Sequence, residues 1–164
     1  MIDVKTPLLS LALRHAKAYL ACFTVTYVTA SVSQSMNIMH MLQGIGIRLP
    51  LGTRLQVIGH DLVGLTFWAD MPLSYGECLL IGFAIALPIA SLICRWVPAL
   101  RTMIFAAAGA TSVATILYLI DLSFFYDMTL LEGTRGILGY GLQLLAGALG
   151  GVVYAISAPE PKTQ

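Results

Sequence analysis

Two histidines, His40 and His60, are the side chains of this 164-residue sequence best suited to ligand chemistry. A pair of imidazoles ligates a haem iron, and together with Glu77 or Asp121 the pair would supply the donors of a metal site. Nothing in the spacing enforces that geometry, because the chain has no HExxH, no histidine pair four residues apart and no CxxCH. His60 beside Asp61 reads as well as a polar turn, and His15 reads as a surface residue. The three cysteines, Cys22, Cys78 and Cys94, form no CxxC. Met36, Met39 and Met41 crowd together, as a soft-metal site or as flexible packing. A nucleotide loop, a GxSxG elbow and an arginine cluster for phosphates are all missing. The sequence therefore specifies no catalytic residue and no cofactor.

A second constellation is polar rather than catalytic. Gln34, Asn37 and His40 close one long uncharged run, Glu77 opens another, Tyr118 and Asp121 end a third, and Tyr140 and Gln143 start a fourth. If each run is a membrane-spanning helix, these eight residues share one depth, as in an outward-facing cavity for a small ligand. The first run is also rich in hydroxyls: Thr24, Thr26, Thr29, Ser31, Ser33 and Ser35. Such side chains line a polar path or bond back to their own helix.

The elements that would carry these residues follow from composition. The chain is 58% hydrophobic and 10% charged, with mean hydropathy +0.84, whereas a soluble domain carries about 25% charged residues. A net charge of +1 excludes a polybasic nucleic-acid binder. Uncharged stretches at 18–47, 78–94, 102–120 and 136–159 match the roughly 20 apolar residues needed to cross a bilayer core. We expect an all-α, single-domain (1–164) integral membrane four-helix bundle with spans near 17–38, 74–95, 100–121 and 135–158. Continuous rather than alternating hydrophobicity argues against a β-barrel.

Basic residues set the orientation. Lys5, Arg14, Lys17, Arg95, Arg101 and Lys162 fall on one side, and Arg48, Arg54 and Arg135 on the other. Both termini are thus expected in the cytoplasm, and Cys22 and Cys94 lie toward that side while Cys78 lies opposite. That separation disfavours a disulfide. A cleavable signal with a Val28-Thr29-Ala30 site is the rival for the first run, but the uncharged stretch continues well past Ala30. Residues 6–17, with Thr6 as cap and Pro7 at the first helical position, read as an amphipathic cytoplasmic lead-in.

Between the first two spans, Gly44, Gly46, Pro50 and Gly52 break structure. Leu55, Ile58, Leu62 and Leu65 then recur at helical spacing, with Arg54 and Asp61 seven apart on one side and Trp68 closing the segment. We read 53–68 as a short helix at the outer membrane–water interface, with Trp68 at the headgroups.

Association of helices in lipid depends on close backbone approach and polar contacts. The last span offers Gly136, Gly139, Gln143, Gly147, Gly150 and Gly151 on a stripe, with Gly147 and Gly151 as a GxxxG pair, and the third offers Ala106, Ala110 and Ala114. These faces serve packing within the chain or association with a second copy. Pro88 is expected to kink the second span.

Leu49-Pro50-Leu51 with Arg54 and His60-Asp61-Leu62, together with Thr134-Arg135-Gly136 running to Gly147-Ala148-Leu149-Gly150-Gly151, resembles a family of small four-helix inner-membrane proteins of proteobacteria. The resemblance implies a bacterial inner-membrane location and brings no activity with it. Three functional readings follow. The first is a non-enzymatic accessory or structural subunit, assembled through glycine and alanine faces with itself or a larger membrane complex. The second is an oligomeric transporter or channel for a small solute, and the third a haem or metal protein using His40 and His60. Beyond the lipid bilayer and such subunits, no partner is indicated.

Overall fold

The computed structural model describes residues 5–47, 50–64, 74–123 and 136–159, and every described element is helical. Five α-helices follow in order: α1 Lys5–Gly44, α2 Leu51–Gly64, α3 Tyr75–Cys94, α4 Arg101–Ser123 and α5 Ile137–Ser157. A single 3₁₀ turn, Pro98–Leu100, joins α3 to α4. Three helical segments, Tyr75–Cys94, Pro98–Leu122 and Ile137–Ser157, are long and apolar enough to cross a membrane. Their outward faces carry Ile81, Ile85, Ile89, Met103, Leu119, Leu145 and Leu149, all exposed.

The first helix is longer than its uncharged run suggests. Lead-in and span form one 40-residue helix, about 60 Å long at 1.5 Å per residue. Pro7 lies in its first turn, where the missing N–H has no partner to lose. Gly46 stops it at the other end. With φ of 87°, Gly46 donates its N–H to the Gln43 carbonyl at 3.0 Å, and Ile47 donates to Leu42 at 3.0 Å. This pair of bonds is a Schellman closure, which favours glycine because a side chain at positive φ meets the backbone. Gly52, expected to break structure, instead lies inside α2, which starts two residues earlier than the spacing of leucines indicates. The predicted end of that helix, with Leu65 and Trp68, falls outside the described residues.

Helix α3 begins where the second span was expected to, because Ser74 and Glu77 form a capping box: Glu77 N–H donates to Ser74 Oγ at 3.3 Å, and Ser74 N–H donates to Glu77 Oε2 at 2.8 Å. Two orphan donors of the helix start are thereby satisfied. The helix runs unbroken through Pro88.

Glycine determines how the helices pack. On α5, Gly147 and Gly151 face α4 and Gly150 faces α1, so α5 is held between the two. A methyl group added to Gly147 would strike the Gly109 carbonyl, and one on Gly151 the Phe105 carbonyl. A methyl on Gly150 would strike the Thr26 hydroxyl and approach the Cys22 carbonyl. Backbones this close leave no space for a second copy, so the GxxxG pair is an intramolecular contact. On the α4 side the decisive residue is Gly109, with Ala106 beside it; the alanine series named above flanks the contact rather than forming its centre. The remaining face of α4 takes α3, where Gly82 lies against Ser112 and Ile116. Leu79, Phe83 and Leu87 of α3, Val113 of α4 and Ala146 of α5 fill the core with at most 1% exposure.

Candidate functional site

The polar interior is centred on Gln143. This amide, 1% exposed, donates from Nε2 to the Ala30 carbonyl of α1 at 3.0 Å and accepts at Oε1 from the Tyr75 hydroxyl of α3 at 3.0 Å. One side chain therefore joins three helices in an apolar setting. Gly150, two turns further along α5, lies against Thr26 and the Cys22 carbonyl and lets α1 come close enough for its backbone to be reached.

A second polar group lies where α2 returns along α1. The Ser35 hydroxyl stands 2.6 Å from Asp61 Oδ2 and 3.1 Å from the Ser31 carbonyl one turn below. Nearby, the Tyr27 hydroxyl donates to the Leu62 carbonyl at 2.8 Å. These two bonds place the C-terminal end of α2 beside the Tyr27–Ser35 part of α1. Ser31 and Ser35 have no exposed surface, and Gln34 has 7%. Neither Ser31 Oγ nor Gln34 Oε1 has a hydrogen-bond partner.

The eight residues expected at a common depth separate into two groups. Gln34, Asn37 and Gln143 are buried. His40, Glu77, Tyr118, Asp121 and Tyr140 are exposed, Tyr118 by 65%. Equal depth along a helix axis does not determine azimuth, and these five side chains lie on outward faces. Glu77 is engaged by the α3 capping box. A cavity converging on all eight is therefore not formed. His40 on α1 and His60 on α2 are both exposed, and among the described residues no three His, Cys, Asp or Glu side chains group as metal ligands would. The three cysteines are free.

At the opposite end, the structure assembles a constellation that sequence reasoning missed. Arg101 donates from Nη2 to the Ala158 carbonyl at 2.7 Å, and its guanidinium lies 5.9 Å from the Phe105 ring centre. A cation at the C-terminus of α5 satisfies a free carbonyl and complements the helix dipole. Tyr154 packs on Phe105 with ring centres 5.0 Å apart, and its hydroxyl is 3.2 Å from His15 Nδ1. His15 is thus a half-buried partner of α5 rather than a surface residue. Tyr19 adds a hydrogen bond to the Leu80 carbonyl of α3. No signal in the sequence relates positions so far apart.

The outer surface of the α4–α5 pair carries an open apolar groove of about 470 Å³. Its lining includes the small residues Ala110, Gly141 and Ala148 together with Ile137, Leu142 and Leu145. No known protein family, curated protein or solved structure matches the chain. The family resemblance noted above gains no support from those comparisons.

Proposed function

We propose that this chain is a small non-enzymatic integral membrane protein, an accessory or structural subunit that receives a transmembrane helix of a partner in the groove between α4 and α5. In this reading α1 supplies a fourth span near residues 17–38, since Gln143 in the second turn of α5 binds the Ala30 carbonyl and so aligns α1 with the apolar helices. The basic residues orient both termini toward the cytoplasm of a bacterial inner membrane, and α2 lies at the outer interface.

The observation that carries the proposal is the groove itself. Helix association in lipid relies on small residues that admit a neighbouring backbone. Gly147, Gly150 and Gly151 already perform that role inside the chain, whereas Ala110, Gly141 and Ala148 present small residues outward. A methyl group on Gly141 meets nothing within 4 Å, so the groove can be filled without disturbing the bundle.

Native mass spectra of protein extracted gently from its own membranes test this. The wild type is expected to carry a second polypeptide, and Gly141→Leu with Ala148→Leu to release it while the bundle keeps its helical circular dichroism. A mass of two 17.6 kDa chains would make the partner a second copy. Bare chains, or lipid alone, in the wild type would overturn the proposal.

A second reading, passage of a small solute, is supported by the unpartnered polar atoms of α1. It predicts solute flux in liposomes that Gln34→Leu reduces.

A further inference from the structure

Beside the α1–α2 contact, α1 holds two buried side-chain oxygens with no hydrogen-bond partner, Ser31 Oγ and Gln34 Oε1. Ser31 neighbours both Gln34 (i+3) and Ser35 (i+4) on the surface of α1. Asp61 of α2 joins them through its 2.6 Å contact with Ser35. Gln34 is 93% buried, taken from its 7% exposure, and its Oε1 has no donor; Ser31 is wholly buried and its Oγ has no partner. Buried polar atoms without partners carry a desolvation cost that a bound group would relieve. Asp61 is only half-buried, which leaves a route from the aqueous side.

We propose that Ser31, Gln34, Ser35 and Asp61 bind an alkali metal cation. The donor set is oxygen alone: an amide carbonyl, two hydroxyls and a carboxylate. Such ligands select hard cations over the softer transition metals, which favour imidazole and thiolate. Charge decides the valence. The set contains one formal negative charge, so a monovalent ion leaves the buried site neutral, while a divalent ion would leave an uncompensated charge at low dielectric. Arg54, on the same side of α2, is about 10 Å from Asp61 along the helix by its rise. This site is independent of the groove on α4 and α5, and neither proposal depends on the other.

Thermal unfolding of the purified full-length protein in lipid nanodiscs tests it. NaCl, KCl and choline chloride are compared at equal concentration, so that ionic strength is held constant. Sodium or potassium is expected to raise the midpoint saturably relative to choline. Asp61→Asn keeps the shape of the side chain and should weaken cation affinity by about a hundredfold or more through loss of the charge. Gln34→Leu should weaken it by about tenfold, with the helical circular dichroism retained in both. Identical midpoints in all three salts would overturn the proposal. So would a sodium or potassium response that survives Asp61→Asn. If water alone fills the site, Gln34→Leu raises the midpoint equally in every salt and no salt is preferred, which also overturns it. Should Asp61→Asn fail to fold, Ser35→Ala in the same salt series gives the decision.

Discussion

The α4–α5 seam and the α1–α2 flank are built on opposite principles. Along the seam, Gly147 and Gly151 bring two backbones together at Gly109 and Phe105, and dispersion between closely approaching main chains holds the contact. Along the flank, the Ser35 hydroxyl meets the Asp61 carboxylate, while the buried Ser31 Oγ and Gln34 Oε1 of the same helix are left unpartnered. The seam tolerates no added volume. The flank has polar capacity in excess of its own needs. A region that only holds a bundle together resembles the seam, and a region that receives something from outside resembles the flank.

The contrast is broken most severely by adding volume to the seam. Gly109→Leu is expected to lower stability by about 3 kcal/mol or more, since the obstacle is a carbonyl that cannot rotate away. Unfolding by sodium dodecyl sulfate titration, followed by circular dichroism, reads this directly. A wild-type midpoint would mean the two backbones are not in contact.

Gln143→Leu is next. It strands the Tyr75 hydroxyl in the core, at a cost of about 1–3 kcal/mol. Combined with Tyr75→Phe, part of that loss should return, because removing both partners leaves no unsatisfied atom. If the two losses simply add in a double-mutant cycle, the 3.0 Å bond between them contributes nothing.

Ser74→Ala removes one half of the α3 capping box and should cost about 1 kcal/mol in the same titration. An unchanged midpoint would separate the start of α3 from its cap.

The smallest effect belongs to the flank. In choline chloride, Gln34→Leu is expected to leave stability within about 1 kcal/mol of wild type and on the stabilising side, because it deletes an acceptor that has no donor. A loss as large as that of Gln143→Leu would show that Gln34 is as fully bonded as Gln143, and the contrast between the two regions would fail.

Much of this was legible in the chain before any coordinates. The three apolar helices begin and end close to where charge interrupts the uncharged runs, because a charged side chain is costly in hydrocarbon. The capping box was readable too: Ser74 and Glu77 stand in the S-x-x-E pattern, and the pattern accounts for a glutamate otherwise assigned to a polar cluster. The glycine stripe announced close packing, yet its partner did not follow from the same reading. Alanines at four-residue spacing drew attention to Ala106, Ala110 and Ala114, while Gly109, one residue from Ala110, makes the contact. Periodicity identifies a face and leaves open which neighbour occupies it.

The polar residues show the same division. Depth in the bilayer follows from position along the run, and so Gln34, Asn37, His40, Glu77, Tyr118, Asp121, Tyr140 and Gln143 were grouped. Whether each points inward is a matter of azimuth, set by which helices surround it, and five of the eight point out. Asp61 shows the converse. Its contact with Ser35 requires α2 to return along α1, and that return begins at the positive-φ closure of Gly46.

By itself, the sequence determined that this chain is helical and where α3, α4 and α5, three of the four spans expected from it, start and stop. Those properties depend on local hydrophobicity, capping and charge, which act within a turn or two of the residue concerned. Only the tertiary structure decided that Gln143 joins three helices, that the GxxxG pair is internal, that Arg101 closes the end of α5, and that Ser35 meets Asp61. Each of these depends on the rotation of one helix against another, which side-chain volume and backbone approach settle together across the whole bundle.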